Sequence, residues 1–225
     1  MSNSYALLMT VKNAEEYLAE TLDSVFAQTL LPTEIWIVDD LSTDRTLEVI
    51  DSYGPSINVI KNTNVGMAEA YNLAIPLVTT EFIAFLDGDD LWLPEKAERQ
   101  INFLNANPEY DAVCCSVLNF KKSDPKDVAF EASREFGPSR LFTATTFRKE
   151  VFAKFGLPDA SAGHFGLLYE WWSRASDAGI KCGTIEEVLF HRRVHDSNSW
   201  VRERALGNKT IIEIARQNIN RRKNG

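Results

Sequence analysis

Cysteine and histidine are scarce, at three each in 225 residues. Cys114 and Cys115 are adjacent and Cys182 stands alone, which allows neither a disulfide framework nor a zinc-type ligand spacing. A reducing, cytoplasmic setting is therefore expected. No apolar run approaches the roughly 18 residues that a membrane-spanning helix needs. The opening Met1-Ser2-Asn3-Ser4 has no basic stretch ahead of an apolar one, so no secretory leader is expected. There is no internal repeat and no low-complexity tract. Positive charge is short as well: 24 Lys and Arg face 32 Asp and Glu, a net charge of −8. Seven of those basic residues and only two acidic ones lie between Trp200 and Gly225, leaving −13 on residues 1–199. So acidic a body excludes general nucleic-acid binding. It can still bind an anionic ligand if a divalent cation sits between carboxylates and phosphate.

Hydrophobic residues make up 44% and charged residues 25%, ordinary proportions for a chain that buries one core. Tyr5 to Met9 reads as a short buried strand. Asn13 is placed to cap a helix with Glu15 and Glu16 in its first turn, followed by Tyr17, Leu18, Leu22, Val25 and Phe26 at helical spacing. Ile35 to Val38 is a second strand, and a helix runs through Leu47 and Ile50 to about Ser52. Asn58 to Ile60 is a third strand, Ala68 to Ile75 a helix, Phe82 to Leu86 a fourth strand. A helix then follows Pro94 to about Asn105, and Ala112 to Phe120 is a strand. This alternation predicts an α/β fold, a Rossmann-like and mainly parallel sheet flanked by helices. Beyond it, Lys121 to Pro138 reads as a loop or flap. Helices are expected at Arg148–Phe155, Tyr169–Ala178 and Glu203–Asn220, and a strand at Val188–Val194.

Two of the parallel strands end in acid: Val38-Asp39-Asp40 and Leu86-Asp87-Gly88-Asp89-Asp90. Ligands of open parallel sheets bind at the carboxyl ends of strands. Five carboxylates at one edge repel each other unless a cation lies among them, and a hard divalent ion with oxygen ligands suits that role. A solvated Asp-Gly turn is the plain alternative.

Several ordered segments resemble family 2 glycosyltransferases: Met9-Thr10-Val11-Lys12-Asn13, the helix with Tyr17-Leu18 and Ser24-Val25, and Gln28-Thr29. Val38 to Thr46, Asn64-Val65-Gly66 with Asn72, and Ala84 to Asp90 complete the set. The resemblance runs from about Tyr5 to Cys115 and returns more weakly from Phe142 to Ser199. It implies a GT-A-like fold with a small acceptor-side extension: one domain over 1–225, with a nucleotide-sugar-binding half to about 120, an acceptor half over about 121–200 and a basic tail beyond. It also implies a nucleotide-sugar donor, UDP-linked first of all, with Mn2+ or Mg2+ as cofactor. The transfer would invert the sugar centre and serve polysaccharide or glycoconjugate synthesis. By resemblance, Thr10, Lys12, Asn13, Asp40, Asn64 and Asp87 contact the nucleotide, and Asp87, Asp89, Asp90 and His195 hold metal. Lys12 departs from the aromatic residue often seen there, and Tyr71 stands where Arg is frequent.

The acceptor half carries the main departure. An inverting transfer needs a base for the acceptor proton, and the family's Glu-Asp pair falls here on Leu167-Leu168. Glu170 is the replacement candidate, against a plain i,i+4 pair with Arg174. Asp159 and His164 are further candidates, and a relative that binds nucleotide sugar without efficient transfer is the alternative reading. His191-Arg192-Arg193-Val194-His195 resembles the late Arg-x-His element, and Arg192 and Arg193 are candidates for the diphosphate. Trp92, Trp171 and Trp172 read first as core residues. The acceptor is left open between a glycan, a lipid-linked sugar and a small molecule. The basic tail reads as a solvated helix, with peripheral contact at the inner face of a membrane as the alternative; a homodimer is also open.

Overall fold

The computed structural model describes residues 3–63, 66–121 and 140–195, together with 212, 213 and 216. Eight strands form one sheet. They are β1 (Tyr5–Val11), β2 (Glu34–Asp39), β3 (Ile57–Lys61), β4 (Phe82–Asp87), β5 (Leu91–Trp92), β6 (Ala112–Lys121), β7 (Thr145–Arg148) and β8 (Cys182–Val194). Their order across the sheet is β3-β2-β1-β4-β7-β6-β8-β5. The run β3-β2-β1-β4 is wholly parallel, β6 and β8 are parallel, and β7 and β5 join antiparallel to their neighbours.

Side chains alternate across the central strands because a strand repeats every two residues. Tyr5, Leu7, Met9 and Val11 enter one apolar layer with Leu18, Leu22 and Val25 of α1 (Leu18–Phe26). Ala97, Ile101 and Leu104 of the Lys96–Ala106 helix close that layer. Ala6 and Leu8 enter the opposite layer, packed by the helices Met67–Ala74, Glu150–Phe155 and Gly163–Asp177. These, with α2 at Thr46–Ser52, are α3, α5 and α6, and Lys96–Ala106 is α4. Covering both faces explains why β1 and β4 read as near-continuous apolar runs.

Several expectations need correction. The first helix starts at Leu18, not after Asn13, and Asn13 itself has a φ of 51°. Its side-chain oxygen accepts from Thr43 N at 2.8 Å instead of capping a helix. The two shortest strands, β5 and β7, carry too few residues for a period to show; β7 reads Thr-Thr-Phe-Arg, and its Thr146 donates into a buried polar cluster. α5 begins at Glu150 and α6 already at Gly163, while β8 starts at Cys182 and is interrupted by a bulge opposite Ser116. Trp92, Trp171 and Trp172 are all buried, as core residues should be. The expected loop at 121–138 and helix at 203–220 lie almost wholly outside the described residues; Ile212, Glu213 and Arg216 are helical.

Candidate functional site at the acidic strand ends

Parallel pairing of β1, β2 and β4 brings their carboxyl ends to one edge. Val11 lies beside Asp39, and Thr10 beside Asp87. The loops that leave β1 and β2 are fastened to each other by side-chain-to-backbone hydrogen bonds. Asn13 N donates to Ser42 Oγ at 2.9 Å, Ala14 N to Thr46 Oγ1 at 2.8 Å, and Glu15 N to Asp44 Oδ2 at 3.1 Å. These contacts satisfy backbone donors that a loop would otherwise leave to water. Leu41, between Asp40 and Ser42, has a φ of 64°, a conformation costly for a branched L side chain.

Asp39 is buried and accepts from Ser42 N. Asp40 faces the loop that leads into α3: its Oδ1 accepts from Asn62 Nδ2 at 2.9 Å and Gly66 N at 3.2 Å, and Lys12 Nζ stands 3.6 Å from its Oδ2. Thr10 hydrogen-bonds the buried Tyr71 phenol, which in turn faces Asp87. Asn64 lies outside the described residues. Asn62, which the sequence reading passed over, is the side chain that fixes Asp40; its place between a strand end and Asn64-Val65-Gly66 was the available signal.

The turn after β4 holds Asp87, Asp89 and Asp90. Gly88 fits closely there, because a Cβ would lie 3.0 Å from Val11 Cγ1 and 3.3 Å from Ala14 Cβ and would press on both; its carbonyl accepts from Thr21 Oγ1 at 3.1 Å. Burial and the neighbouring Asp89 push the Asp87 carboxyl up to about 7, with Arg192 opposing. Asp90 is raised well above the usual carboxylate range by burial, Asp89 and Asp87. Both shifts have one physical root, negative charge crowded into a dry turn.

β8 returns basic residues to this turn by pairing with β5. His195 Nε2 lies 2.9 Å from Asp89 Oδ2. Asp90 Oδ1 accepts from Arg193 N at 2.8 Å, so Asp90 points inward. Arg193 is only 2% exposed. Its guanidinium is held by Asp89 O and Glu20, which corrects the expectation that it meets diphosphate; Arg192 is the arginine left with an electrostatic hold on Asp87 and Asp90. His191 lies on β8 and His195 directly follows its last residue, Val194; in extended chain four residues span about 13 Å, too far to share one ion.

Among the described residues no group of three or more His, Cys, Asp or Glu is gathered closely enough to hold a metal ion. Asp87, Asp89, Asp90 and His195 thus form no closed cage. The donor set nevertheless fits a divalent ion: Asp89 and His195 already touch, and the crowded carboxyls gain from added positive charge. Mg2+-type sites commonly take one or two carboxylates and leave the remaining positions to phosphate and water.

The face built by α5 and α6 differs. Both Glu170 oxygens are engaged by Arg174, from Nε at 3.0 Å and Nη2 at 3.4 Å, and the same arginine donates to the Phe155 and Leu157 carbonyls. That arrangement fastens α6 to the end of α5. Hydrogen bonds from the Ser161 hydroxyl and then from Ser161 N hold the Asp159 carboxyl below the usual range. Leu168 packs against the apolar layer. The side chains of His164 and Leu167 lie outside the described residues.

A mainly parallel α/β sheet with flanking helices in this order is the fold of GT-A-type glycosyltransferases. Comparison with solved structures agrees. The mannosyltransferase PcManGT of Pyrobaculum calidifontis, in complex with GDP-Man and Mn2+, superposes with a TM-score of 0.73 over 95% of this chain and 64% of its own, at 20% identity. TarS of S. aureus in complex with UDP gives 0.71 over 94% and 70%, at 16% identity. The glycosyl transferase family 2 model matches residues 6–172, and the chain belongs to that family. An uncharacterized glycosyltransferase of Rickettsia typhi is 36% identical over 86% of this chain and 65% of its own length. The putative glycosyltransferase EpsE of Bacillus subtilis is 34% identical over 51% and 43%, and the hyaluronan synthase of Pasteurella multocida 24% over 93% and 22%. The chain therefore spans between 22% and 65% of the length of these curated relatives.

Proposed function

We propose that this chain transfers a sugar from a nucleoside-diphosphate donor, UDP-linked first of all, to an acceptor hydroxyl with inversion, in polysaccharide or glycoconjugate synthesis. The observation that carries the reading is the meeting of Asp89 and His195 at 2.9 Å beside the half-buried Asp87 and the buried Asp90. Asp40, held by Asn62 and Gly66, presents its remaining oxygen and Lys12 toward the nucleotide. Thr10 and Asn13 shape the floor of that site. Asp89 and His195, with Asp87 beside them, would hold Mn2+ or Mg2+. When bound, such an ion supplies positive charge to the donor diphosphate and the departing nucleotide. Asp90 orients the turn from within. Arg192 adds a fixed positive charge on the same side.

The acceptor proton is the open step for these residues. The ion pair with Arg174 favours a structural role for Glu170 over proton transfer. Leu168 in place of an acid supports a second reading, a relative that binds nucleotide sugar and transfers weakly. A panel of UDP-, GDP- and dTDP-sugars, with and without Mn2+, separates the two. Metal-dependent thermal stabilisation by one donor, with slow release of its nucleotide that Asp89→Ala abolishes, is the expected result. Stabilisation without release in the presence of a working acceptor would select the binding-only reading. No response to any donor would sink the donor-site assignment.

A further inference from the structure

Arg193 is a charged residue that the donor site does not need for contact, yet it is built into the site's walls. Its Nε donates to the Asp89 carbonyl at 2.8 Å and its Nη2 to Glu20 Oε2 at 2.6 Å. Its backbone N donates to Asp90 Oδ1 at 2.8 Å. The guanidinium lies between two rings, 4.8 Å from the Tyr17 centroid and 4.6 Å from that of Phe120, its register partner on β6. Tyr17 in turn lies 4.7 Å from the His195 ring. Asp89 is thereby held at both ends, its carbonyl by Arg193 and its carboxylate by His195.

We propose that Arg193, sandwiched by Tyr17 and Phe120 and anchored by Glu20, is a positioning residue that fixes Asp89 and His195 for cation and diphosphate binding. This rests on the donor-site reading given above. The reasoning is geometric. Asp89 lies in the turn between β4 and the two-residue strand β5, while His195 follows the last residue of β8, so neither strand alone would hold the pair together. The planar guanidinium donates to two groups at once, Asp89 O and Glu20, and the two rings against it restrict its freedom to turn. All the anchoring comes from α1 and β6, and the groups being fixed are Asp89, Asp90 and His195. Residues that orient metal ligands from behind typically change metal affinity about 10- to 100-fold when altered. Lysine keeps the charge but cannot reach Asp89 O and Glu20 together.

The test is a Mn2+ titration in the presence of UDP, read by loss of the free Mn2+ electron-spin resonance signal. Wild type is compared with Arg193→Lys, Glu20→Gln and Tyr17→Leu, each checked for fold by circular dichroism. Arg193→Lys and Tyr17→Leu are expected to weaken Mn2+ uptake about 10-fold or more, and Glu20→Gln about 3-fold. If turnover is measurable, the loss appears in the KM for Mn2+ and donor before kcat. Folded Arg193→Lys and Tyr17→Leu proteins with wild-type Mn2+ affinity would overturn the proposal while leaving the donor site standing. If Arg193→Lys does not fold, Tyr17→Leu and Glu20→Gln decide by the same criterion. A wild type that takes up no Mn2+ with UDP overturns the donor-site reading itself, and the positioning role with it.

Discussion

Replacing Lys96 by Met should stabilise this protein at neutral pH and reverse the advantage in alkali. Lys96 is wholly buried at the start of α4. Its Nζ donates to Gln100 Oε1 at 2.9 Å and lies 4.1 Å from the Trp92 ring centroid. Gln100 Oε1 also accepts from Thr146 Oγ1 at 2.7 Å, so the amine shares its acceptor. Cys115 is the titratable neighbour, and burial pushes its thiol up to about 11. Burial lowers the Lys96 ammonium from 10.5 to about 8. Between those values the unfolded chain keeps a proton that the folded one releases, so wild-type stability rises with pH across that window. Below pH 8 both states are protonated and the full penalty persists. At 1.36 kcal/mol for each pH unit, the penalty is about 3 kcal/mol. Methionine has similar length and no charge. Subtracting about 1 kcal/mol for the lost hydrogen bond, Lys96→Met gains about 2 kcal/mol at pH 7. By pH 10.5 that gain should be gone, leaving the variant slightly the weaker. Urea unfolding at pH 7, 8, 9 and 10, with unchanged m-values, measures this. Stability curves that run parallel for the two proteins would refute the dry environment assigned to Lys96.

Leu41→Gly should raise Tm by about 1–3 °C, since release of left-handed strain outweighs the added freedom of the unfolded chain; a fall in Tm would mean the half-exposed leucine packs more than its exposure indicates. Gly88→Ala places a methyl against Val11 and Ala14, so we expect a loss of about 1–3 kcal/mol in chemical denaturation and weaker nucleotide binding, because the acidic turn must shift; an unaltered protein would show that the turn yields freely. Glu170→Gln should lower stability by about 1 kcal/mol through its Arg174 pair while leaving donor hydrolysis per folded molecule within about twofold. Loss of hydrolysis without loss of stability would return Glu170 to the role of base.

Much of the donor half was legible because its signals are local. Apolar runs ending in acid, at Asp39-Asp40 and Asp87 to Asp90, named both the parallel strands and the edge at which they converge. The GT-A likeness followed from the same segments. What escaped was set by contacts distant in sequence. β7 is four residues long and places Thr146 in a buried cluster that only the folded chain assembles. Asn13 looked like a helix cap because an asparagine before two glutamates is the usual pattern, but Ser42 and Thr43 from the neighbouring loop claim it. Arg193 looked like a phosphate ligand by residue type. Its burial depends on Tyr17, Glu20 and Phe120, more than 70 residues away in every case, and no spacing rule connects them. The region after β6 was least legible, since Leu167-Leu168 stands where the family resemblance led us to expect an acidic pair.

The most direct test of the donor site is the Mn2+ dependence of UDP affinity, measured by titration calorimetry on wild type and Asp89→Asn. Two carboxylates and a histidine that serve a metal-bridged diphosphate predict binding at least about tenfold tighter with Mn2+, a gain of about 1.4 kcal/mol that the variant loses. Equal affinity with and without Mn2+, in a wild type that binds UDP, would contradict the assignment of Asp89 and His195 to a cation.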